Sequence, residues 1–179
     1  DGLDLATGEF GRFLDGVSAE HLALSTPCPE WDVRYLVAHV VGGNRFASLV
    51  LDGVPSSAAV ERIMSTSQLS DRPARDFASS SEEQRQRFRS PGVLEGVVDH
   101  PLGVIGARRF LRFRIFDCTL HAWDLATAIG ADATLDPDLV DAVLKIVRAE
   151  PEGMGFGVEA TAAVGGSLQQ QLLALSGRA

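Results

Sequence analysis

The strongest constraint on the fold is a helical repeat over residues 106–129, which ends at Gly130. Glycine directly after a periodic run is a common helix stop signal. At about 100° per residue, five side chains of this segment fall within roughly 60° of one another. They are Phe110, Phe113, Asp117, His121 and Asp124. The sequence therefore predicts a long helix whose apolar face carries two carboxylates and an imidazole.

A second amphipathic helix is predicted just after a proline-rich connector, residues 25–29. Asp32 is a good N-cap, and Asp52 with Gly53 would end the helix after about Leu51. The stripe of this helix that recurs every 3.6 residues is apolar apart from one histidine, His39. This segment therefore brings a second imidazole to an otherwise apolar face.

The remaining elements are also predicted to be mainly helical. Helices are expected at residues 3–24, at 80–88 behind a capping box of Ser80 and Glu83, at 137–150 and at 168–175, with a short extended piece at 93–98. Neither an internal repeat nor a strand–helix–strand alternation is present, so the predicted fold class is all-α. We expect one helical-bundle domain over residues 1–179, with short extra helices and an irregular C-terminal tail from about residue 151.

Charge and composition narrow the range of partners. Lys and Arg number 16 against 24 Asp and Glu, a formal charge of −8, which argues against nucleic acid or an anionic membrane surface as partner. No apolar run approaches the length of a membrane span. The two cysteines, Cys28 and Cys118, are read as reduced thiols of a cytoplasmic protein. The apolar stripes on several helices permit a homodimer.

Three side chains could together hold a divalent metal ion. Asp117 and His121 are four residues apart, which puts their Cβ atoms about 5–6 Å apart on one helix face. His39 from a facing helix would complete two imidazoles and a carboxylate, with positions left for water or substrate. Spacing alone leaves two plainer interpretations open. His39 also fits a hydrogen-bonded core histidine, and Asp117 with His121 fits an ordinary intrahelical pair.

Three segments carry a family resemblance. Residues 26–33 (TPCPEWDV) followed by 36–39 (LVAH) resemble the second-helix motif of the mycothiol-dependent maleylpyruvate isomerase-like proteins, within the DinB-like superfamily of four-helix metal-binding bundles. Residues 116–126 (FDCTLHAWDLA) are similar to the third-helix motif of the same family, and residues 172–178 (LLALSGR) resemble the ending of a small actinobacterial metal-binding subgroup. The resemblance therefore implies a DinB-like four-helix bundle.

The resemblance also implies a set of site residues. The metal ligands would be His39, Asp117 and His121, with zinc the first choice of ion and nickel or another divalent ion as alternatives. Asp124 would accept a hydrogen bond from a ligand imidazole. Arg45 and Arg114 are candidates for meeting carboxylates of substrate or cofactor. Cys28 is not predicted as a nucleophile, because no His/Asp pair lies near it in the sequence.

The implied chemistry is thiol transfer. Mycothiol, bound through its sulfur, would add as thiolate to a small electrophile, which makes the chain a transferase or isomerase-like enzyme. Two features depart from the isomerases: Asp117 stands where they use a glutamate, and the chain is too short for their additional C-terminal domain. Two alternatives stay open, a non-catalytic, stress-related dimeric metal-binding bundle and a bundle in which Asp117 and His121 form only a pair.

Overall fold

The computed structural model describes residues 2–66, 69–149 and 166–178. Within them the regular secondary structure is helical apart from one small hairpin, which confirms the all-α prediction. The helices are α1 (Gly2–Leu14), α2 (Val33–Leu51), α3 (Ser56–Thr66), α4 (Pro73–Arg89), α5 (Ala107–Ala128), α6 (Pro137–Ala149) and α7 (Leu168–Leu175). The hairpin pairs β1 (Val97–His100) with β2 (Gly103–Gly106), and 3₁₀ turns occupy Glu20–Ala23 and Val93–Glu95.

The bundle is formed by α1, α2, α4 and α5. α1 packs along α5 and α2 packs along α4, while α2 also contacts α5 and α1 contacts α4. Large side chains fill the space between them, and several are fully buried, among them Phe10, Leu36, Phe110, Phe116 and Leu120. α6 and α7 pack on each other beside α1 and α5. This DinB-like arrangement brings the polar positions of α2 and α5 face to face.

The two helices that carry the predicted site begin and end as the sequence indicates. The Asp32 carboxylate accepts a hydrogen bond from the Tyr35 amide at 2.7 Å and so caps α2. α2 ends before Gly53, which has a φ of 83°, and α5 ends before Gly130, which has a φ of 70°. A positive φ costs little conformational free energy only for glycine, so these two glycines determine where both helices end.

Two predictions about where helices begin and end were wrong. The first helix stops at Leu14 rather than continuing to residue 24, because the chain turns at Asp15 and Gly16. Ser80 does not begin a helix. α4 begins seven residues earlier with Pro73 in its first turn, so Ser80 lies inside it, buried and donating to the Phe77 carbonyl. Proline at the first helical position needs no hydrogen-bond partner for its nitrogen, which favours the earlier start.

The C-terminal region is described only in part. Residues 151–165 of the predicted irregular tail lie outside the described residues, as does the predicted last residue of the preceding helix, residue 150. The last predicted helix is confirmed as α7, where Ser167 and Gln170 form a reciprocal capping box. Across the described ranges, no helix combines the length and apolar character that crossing a membrane requires.

Candidate metal centre

α2 and α5 bring His39, Asp117 and His121 together. Asp117 Oδ1 lies 3.3 Å from His39 Nε2 and 3.4 Å from His121 Nε2. One ligand atom from each residue lies within 4.8 Å of the other two. Two imidazole nitrogens and a carboxylate oxygen that converge in this way are the donor set of a three-ligand site for zinc or a similar divalent ion. The predicted side chains therefore meet, and their chemistry fits such an ion.

The three side chains differ in their access to solvent. Asp117 and His121 have only 8% and 6% of their side-chain surface exposed, whereas His39 has 38%. The group is therefore closed on the α5 side and open on the α2 side. A metal site that is open on one side has room for a further ligand, which is typical of catalytic rather than structural sites.

The second carboxylate oxygen of Asp117 is held by Arg114. The Arg114 guanidinium donates to Asp117 Oδ2 at 2.8 Å and to Asn44 Oδ1 at 2.9 Å, and both arginine and aspartate are buried. Burial opposes ionisation of Asp117, but the charges of Arg114 and His121 hold its pKa well below its usual range. Asp117 therefore remains an anion, the state that a metal ligand requires.

A buried polar patch on α4 supports Arg114 in turn. Gln84 donates to Asn44 Oδ1 at 2.5 Å and accepts from Arg114 at 3.3 Å. Asn44 donates to the hydroxyls of Ser80 and Ser81 at 3.1 and 3.0 Å. Because the side-chain amide oxygens and nitrogens of Asn44 and Gln84 all have partners, the guanidinium has little freedom to turn.

The absence of a side chain at Gly43 leaves space for the Arg114 guanidinium. A Cβ atom on Gly43 would lie 2.5 Å from Nη1 of Arg114 and 2.9 Å from its Cζ. Only glycine leaves α2 enough space at this point of its contact with α5.

His121 is oriented by Asp124 through its other ring nitrogen. His121 Nδ1 lies 2.9 Å from Asp124 Oδ2, and the Asp124 side chain is completely buried. Protonation of Nδ1 toward this carboxylate leaves Nε2 to face Asp117 and a cation. Burial alone would lower the pKa of His121, but Asp117 and Asp124 raise it well above its usual value. Metal binding at Nε2 therefore displaces a proton.

A second cluster lies on the Nδ1 side of His121. Cys28 Sγ is 3.3 Å from Asp124 Oδ2 and 4.0 Å from His121 Nδ1. Arg178, just after α7, donates to both carboxylate oxygens of Asp124 at 2.8 Å and lies 3.9 Å from Cys28 Sγ. The guanidinium supplies a positive charge to this cluster, which pairs with the Asp124 carboxylate beside His121.

Sequence reasoning missed Cys28 and Arg178 as neighbours of the site. Cys28 lies beside His121, which is 93 residues away in the sequence. Arg178 binds Asp124, which is 54 residues away. The available signal was indirect: Cys28 belongs to the 26–33 motif and Arg178 to the 172–178 motif. Arg45 and Arg114 were predicted to bind carboxylates of substrate or cofactor, which stays a prediction. Arg114 binds the protein's own Asp117, and Arg45 lies half-buried on α2.

Trp31 covers the outer side of both imidazoles. Its ring centroid lies 4.8 Å from that of His39 and 5.6 Å from that of His121. Hydrogen bonds from Thr26 to the Trp31 carbonyl, and a left-handed φ of 65° at Glu30, shape the loop that places it. A non-glycine residue in this conformation costs free energy, which the surrounding contacts must offset.

A cavity of about 800 Å³ lies beside His39. It extends between α2, α3 and the hairpin. Its lining consists of Glu30, Asp32, Arg34, Tyr35, Ala38, His39, Gly42, Phe46, Val60, Ile63, Met64, Leu69, His100 and Pro101. The volume is in the range of small-molecule sites. His39 thus belongs both to the candidate donor group and to the cavity wall.

Comparison with known proteins places the chain in a family. A sequence model described as "Mycothiol maleylpyruvate isomerase N-terminal domain" matches residues 3–126. The chain belongs to this family. The matched range contains α1 to α5 up to Ala126, and so includes His39, Asp117, His121 and Asp124.

Two proteins of Mycobacterium tuberculosis are relatives of this chain. Uncharacterized protein Rv0738 of strain H37Rv and Uncharacterized protein MT0763 of strain CDC 1551 are each 31% identical over 145 residues, which cover 80% of this chain and 74% of theirs. The predicted actinobacterial connection is therefore supported by these relatives.

Two crystal structures of the mycothiol-dependent maleylpyruvate isomerase share the fold. A histidine-to-alanine mutant aligns with a TM-score of 0.69 at 22% identity, and another structure of the isomerase aligns at 0.65 and 23%. Each alignment covers 83% of this chain but only 66% of the isomerase. The chain thus spans slightly less than two thirds of the solved enzyme. Arg178 and α7 lie beyond the range matched by the family model.

Proposed function

We propose that this chain is a divalent-metal-dependent enzyme that transfers a thiol, mycothiol, to a small electrophile or uses it in an isomerisation. The observation that carries the proposal is the double role of His39, which is a member of the donor group and lines the cavity. A substrate in the cavity would lie directly beside the ion. Zinc is the ion we propose first, with nickel as an alternative, because imidazole and carboxylate donors accept both.

The protein residues have separate tasks in this proposal. His39, Asp117 and His121 hold the ion, which when bound favours the thiolate form of a cosubstrate at neutral pH. Arg114 keeps Asp117 charged and directed toward the imidazoles, and Asp124 keeps Nε2 of His121 directed toward the ion. Trp31 limits the access of water from outside. The thiol proton leaves to solvent on the open side, past His39.

Mycothiol and a small electrophile are the proposed partners. The family name and the fold of the solved isomerase support mycothiol. We expect no nucleic-acid partner, since the net charge is −8. The two free thiols suit the reducing cytoplasm, which we propose as the compartment.

The alternative of a non-catalytic, stress-related dimeric metal-binding protein has less support. A site used only to hold an ion is normally saturated by protein ligands. Here the donor group has three protein ligands and opens through His39 into the cavity. This geometry favours catalysis over storage or a purely structural ion.

Metal analysis combined with a conjugation assay tests the proposal. We expect about one divalent ion per chain after dialysis, and loss of that ion in His39→Ala and His121→Ala. His21→Ala is the matched control, because His21 contacts Ser18 away from the site and should leave the metal content unchanged. Conjugation of mycothiol to small electrophiles should fall roughly 10- to 100-fold or more in His121→Ala.

Two results would contradict the proposal. Protein that takes up no divalent ion, or metal-free protein that conjugates at an unchanged rate, removes the metal-dependent mechanism. A protein that binds the ion but conjugates no thiol supports the non-catalytic alternative instead.

A further inference from the structure

We propose that the cavity beside His39 has two ends of different chemistry, and that the apolar end selects an uncharged, largely apolar electrophile. This inference rests on the proposed function, because it assigns the electrophile to one end of the cavity and the polar body of the thiol to the other. It differs from the substrate in the isomerase name, since maleylpyruvate is a dicarboxylate.

α2 runs along the cavity and orders its two ends. Tyr35, Ala38, His39, Gly42 and Phe46 line the wall at three- and four-residue spacing, so they share one helix face. At a rise of 1.5 Å per residue, Tyr35 is about 6 Å before His39 along the axis and Phe46 is about 10 Å beyond it. The metal-ligating group therefore lies between the two ends, within reach of ligands in both.

The end near the start of α2 is polar and open. Glu30, Asp32, Arg34 and Tyr35 line it, and all four are exposed. Two carboxylates, a guanidinium and a phenol offer donors and acceptors for a hydroxyl-rich ligand. This end, which we call the polar mouth, suits the hydrophilic part of a low-molecular-weight thiol whose sulfur lies at the metal.

The opposite end is apolar. Gly42 and Phe46 line it from α2, Ile63 of α3 would lie 3.5 Å from a Cβ on Gly42, and His100 packs on Phe46. Because α3 returns along α2 after a short connection, Val60, about one turn before Ile63, lies on the Phe46 side. None of these described side chains carries a fixed charge. His100 stacks edge-to-face on Phe46, with ring centroids 6.0 Å apart, and burial followed by the charge of Arg109 lowers its pKa. The imidazole is therefore uncharged at neutral pH.

The difference between the two ends determines whether a charged or an uncharged electrophile binds more tightly. A carboxylate placed at the apolar end would lose its hydration without an opposite charge among the described lining residues, which is unfavourable. An aromatic or aliphatic group would instead gain from contact with Phe46 and Ile63. The single guanidinium of the lining, Arg34, belongs to the polar mouth and has Glu30 and Asp32 as neighbours in the same wall.

Binding of two matched dyes tests this assignment without turnover. N-phenylnaphthylamine is uncharged, and anilinonaphthalenesulfonate carries a sulfonate on the same ring system. We expect the uncharged dye to bind the full chain roughly tenfold more tightly or better, a difference of about 1.4 kcal/mol. Equal affinity, or tighter binding of the sulfonate, overturns the inference.

A charge placed at the apolar end should reverse the preference. Val60→Arg changes a side chain that is 42% exposed, so folding should tolerate it, and it should shift the affinity ratio toward the sulfonate. Val97→Arg is the matched control, because Val97 is 69% exposed on β1 and does not line the cavity. The inference fails if the two variants shift the ratio equally.

Matched electrophiles connect the cavity to the reaction. In chlorodinitrobenzene and chlorodinitrobenzoate, the thiol sulfur forms a C–S bond as the C–Cl bond breaks, chloride leaves with the electron pair and the thiol proton goes to solvent. After correction for the uncatalysed rates, we expect kcat/KM for the uncharged compound to be roughly tenfold higher or more.

The metal content of the same samples distinguishes a failure of this inference from a failure of the proposed function. Metal-loaded protein that prefers the benzoate overturns only this inference, whereas protein without metal or conjugation overturns the proposed function.

Discussion

Arg178 and Asp124 form a two-point salt bridge that joins the chain three residues beyond α7 to the interior of α5. Nε and Nη2 of the guanidinium each donate to one carboxylate oxygen at 2.8 Å, and the Asp124 side chain has no exposed surface. The turn that directs Arg178 inward is made by Gly177, which has a φ of 72°, together with a bond from the Arg178 amide to the Leu173 carbonyl. This is a glycine-containing helix ending of the Schellman type.

We predict that Arg178→Gln weakens metal affinity by roughly 10- to 100-fold, because Asp124 would then hold His121 Nδ1 less firmly. Isothermal titration of zinc into metal-free protein measures this. Arg148→Gln is the control, since Arg148 is exposed and donates to Gln171 of α7 rather than to Asp124. In an Asp124→Asn background the Arg178 substitution should have little further effect. A variant that unfolds at lower temperature but binds zinc with unchanged affinity would show that Arg178 acts on stability alone.

Gly43→Ala should destabilise the protein by about 1–3 kcal/mol, because the added methyl group would displace the buried Arg114 guanidinium. Urea denaturation of metal-free protein measures the change. Gly42→Ala is the neighbouring control, where the new Cβ would lie 3.5 Å from Ile63 in ordinary contact. Alanine also favours a helix over glycine, so the control should be neutral or stabilising. Equal effects of the two substitutions would argue against a special role for the Gly43–Arg114 approach.

The two thiols should differ in reactivity. Cys118 has no exposed surface, and its burial raises the pKa of the thiol to about 11, so it stays protonated and shielded at pH 8. Cys28 is half-buried beside Arg178. We therefore expect a disulfide reagent to modify one thiol per folded chain. Cys28→Ser should abolish the reaction and Cys118→Ala should preserve it, with urea-unfolded wild-type protein giving two thiols as the reference.

His100 should make the protein less stable on the acid side of neutrality. Its folded pKa is lowered by burial and next by Arg109, with Asp99 acting weakly in the opposite direction. As the pH falls below about 6.5, the unfolded chain takes up the proton first, so the free energy of unfolding decreases. His100→Gln should flatten the pH dependence between neutrality and pH 5. Proton NMR of the His100 ring checks the assignment, and a titration midpoint above the ordinary value would contradict it.

Local signals were enough to predict the elements that carry the site. Asp32 and Gly53 bound α2, Gly130 ends α5, and the four-residue spacing of Asp117 and His121 places both on one face. These signals act within a few residues and are visible in the sequence. The meeting of His39 with α5 also followed from the bundle fold. Its role as a metal ligand stays a prediction that metal analysis must test.

Long-range polar contacts could not be predicted in the same way. α4 was misjudged because its inward face carries Ser80, Ser81 and Gln84, which resemble a solvent-exposed surface in a hydropathy pattern. They are buried because Asn44 and Arg114 pair with them. The approach of Arg178 to Cys28 joins residues 150 positions apart. Such partners depend on helix packing, which the hydropathy pattern does not specify.

The buried polar face of α4 has a consequence for chimeric proteins. A fourth helix that supplied only apolar contacts would remove the Gln84 acceptor from Arg114 and leave the buried amide of Asn44 without its hydroxyl partners. The guanidinium that binds Asp117 would then be held less firmly. An exchange of α4 between homologues should therefore succeed only when the donor segment also carries hydroxyl and amide groups at the three inward positions. Interchangeability of this helix is thus limited by the buried polar groups of two helices whose sequence the exchange leaves unchanged.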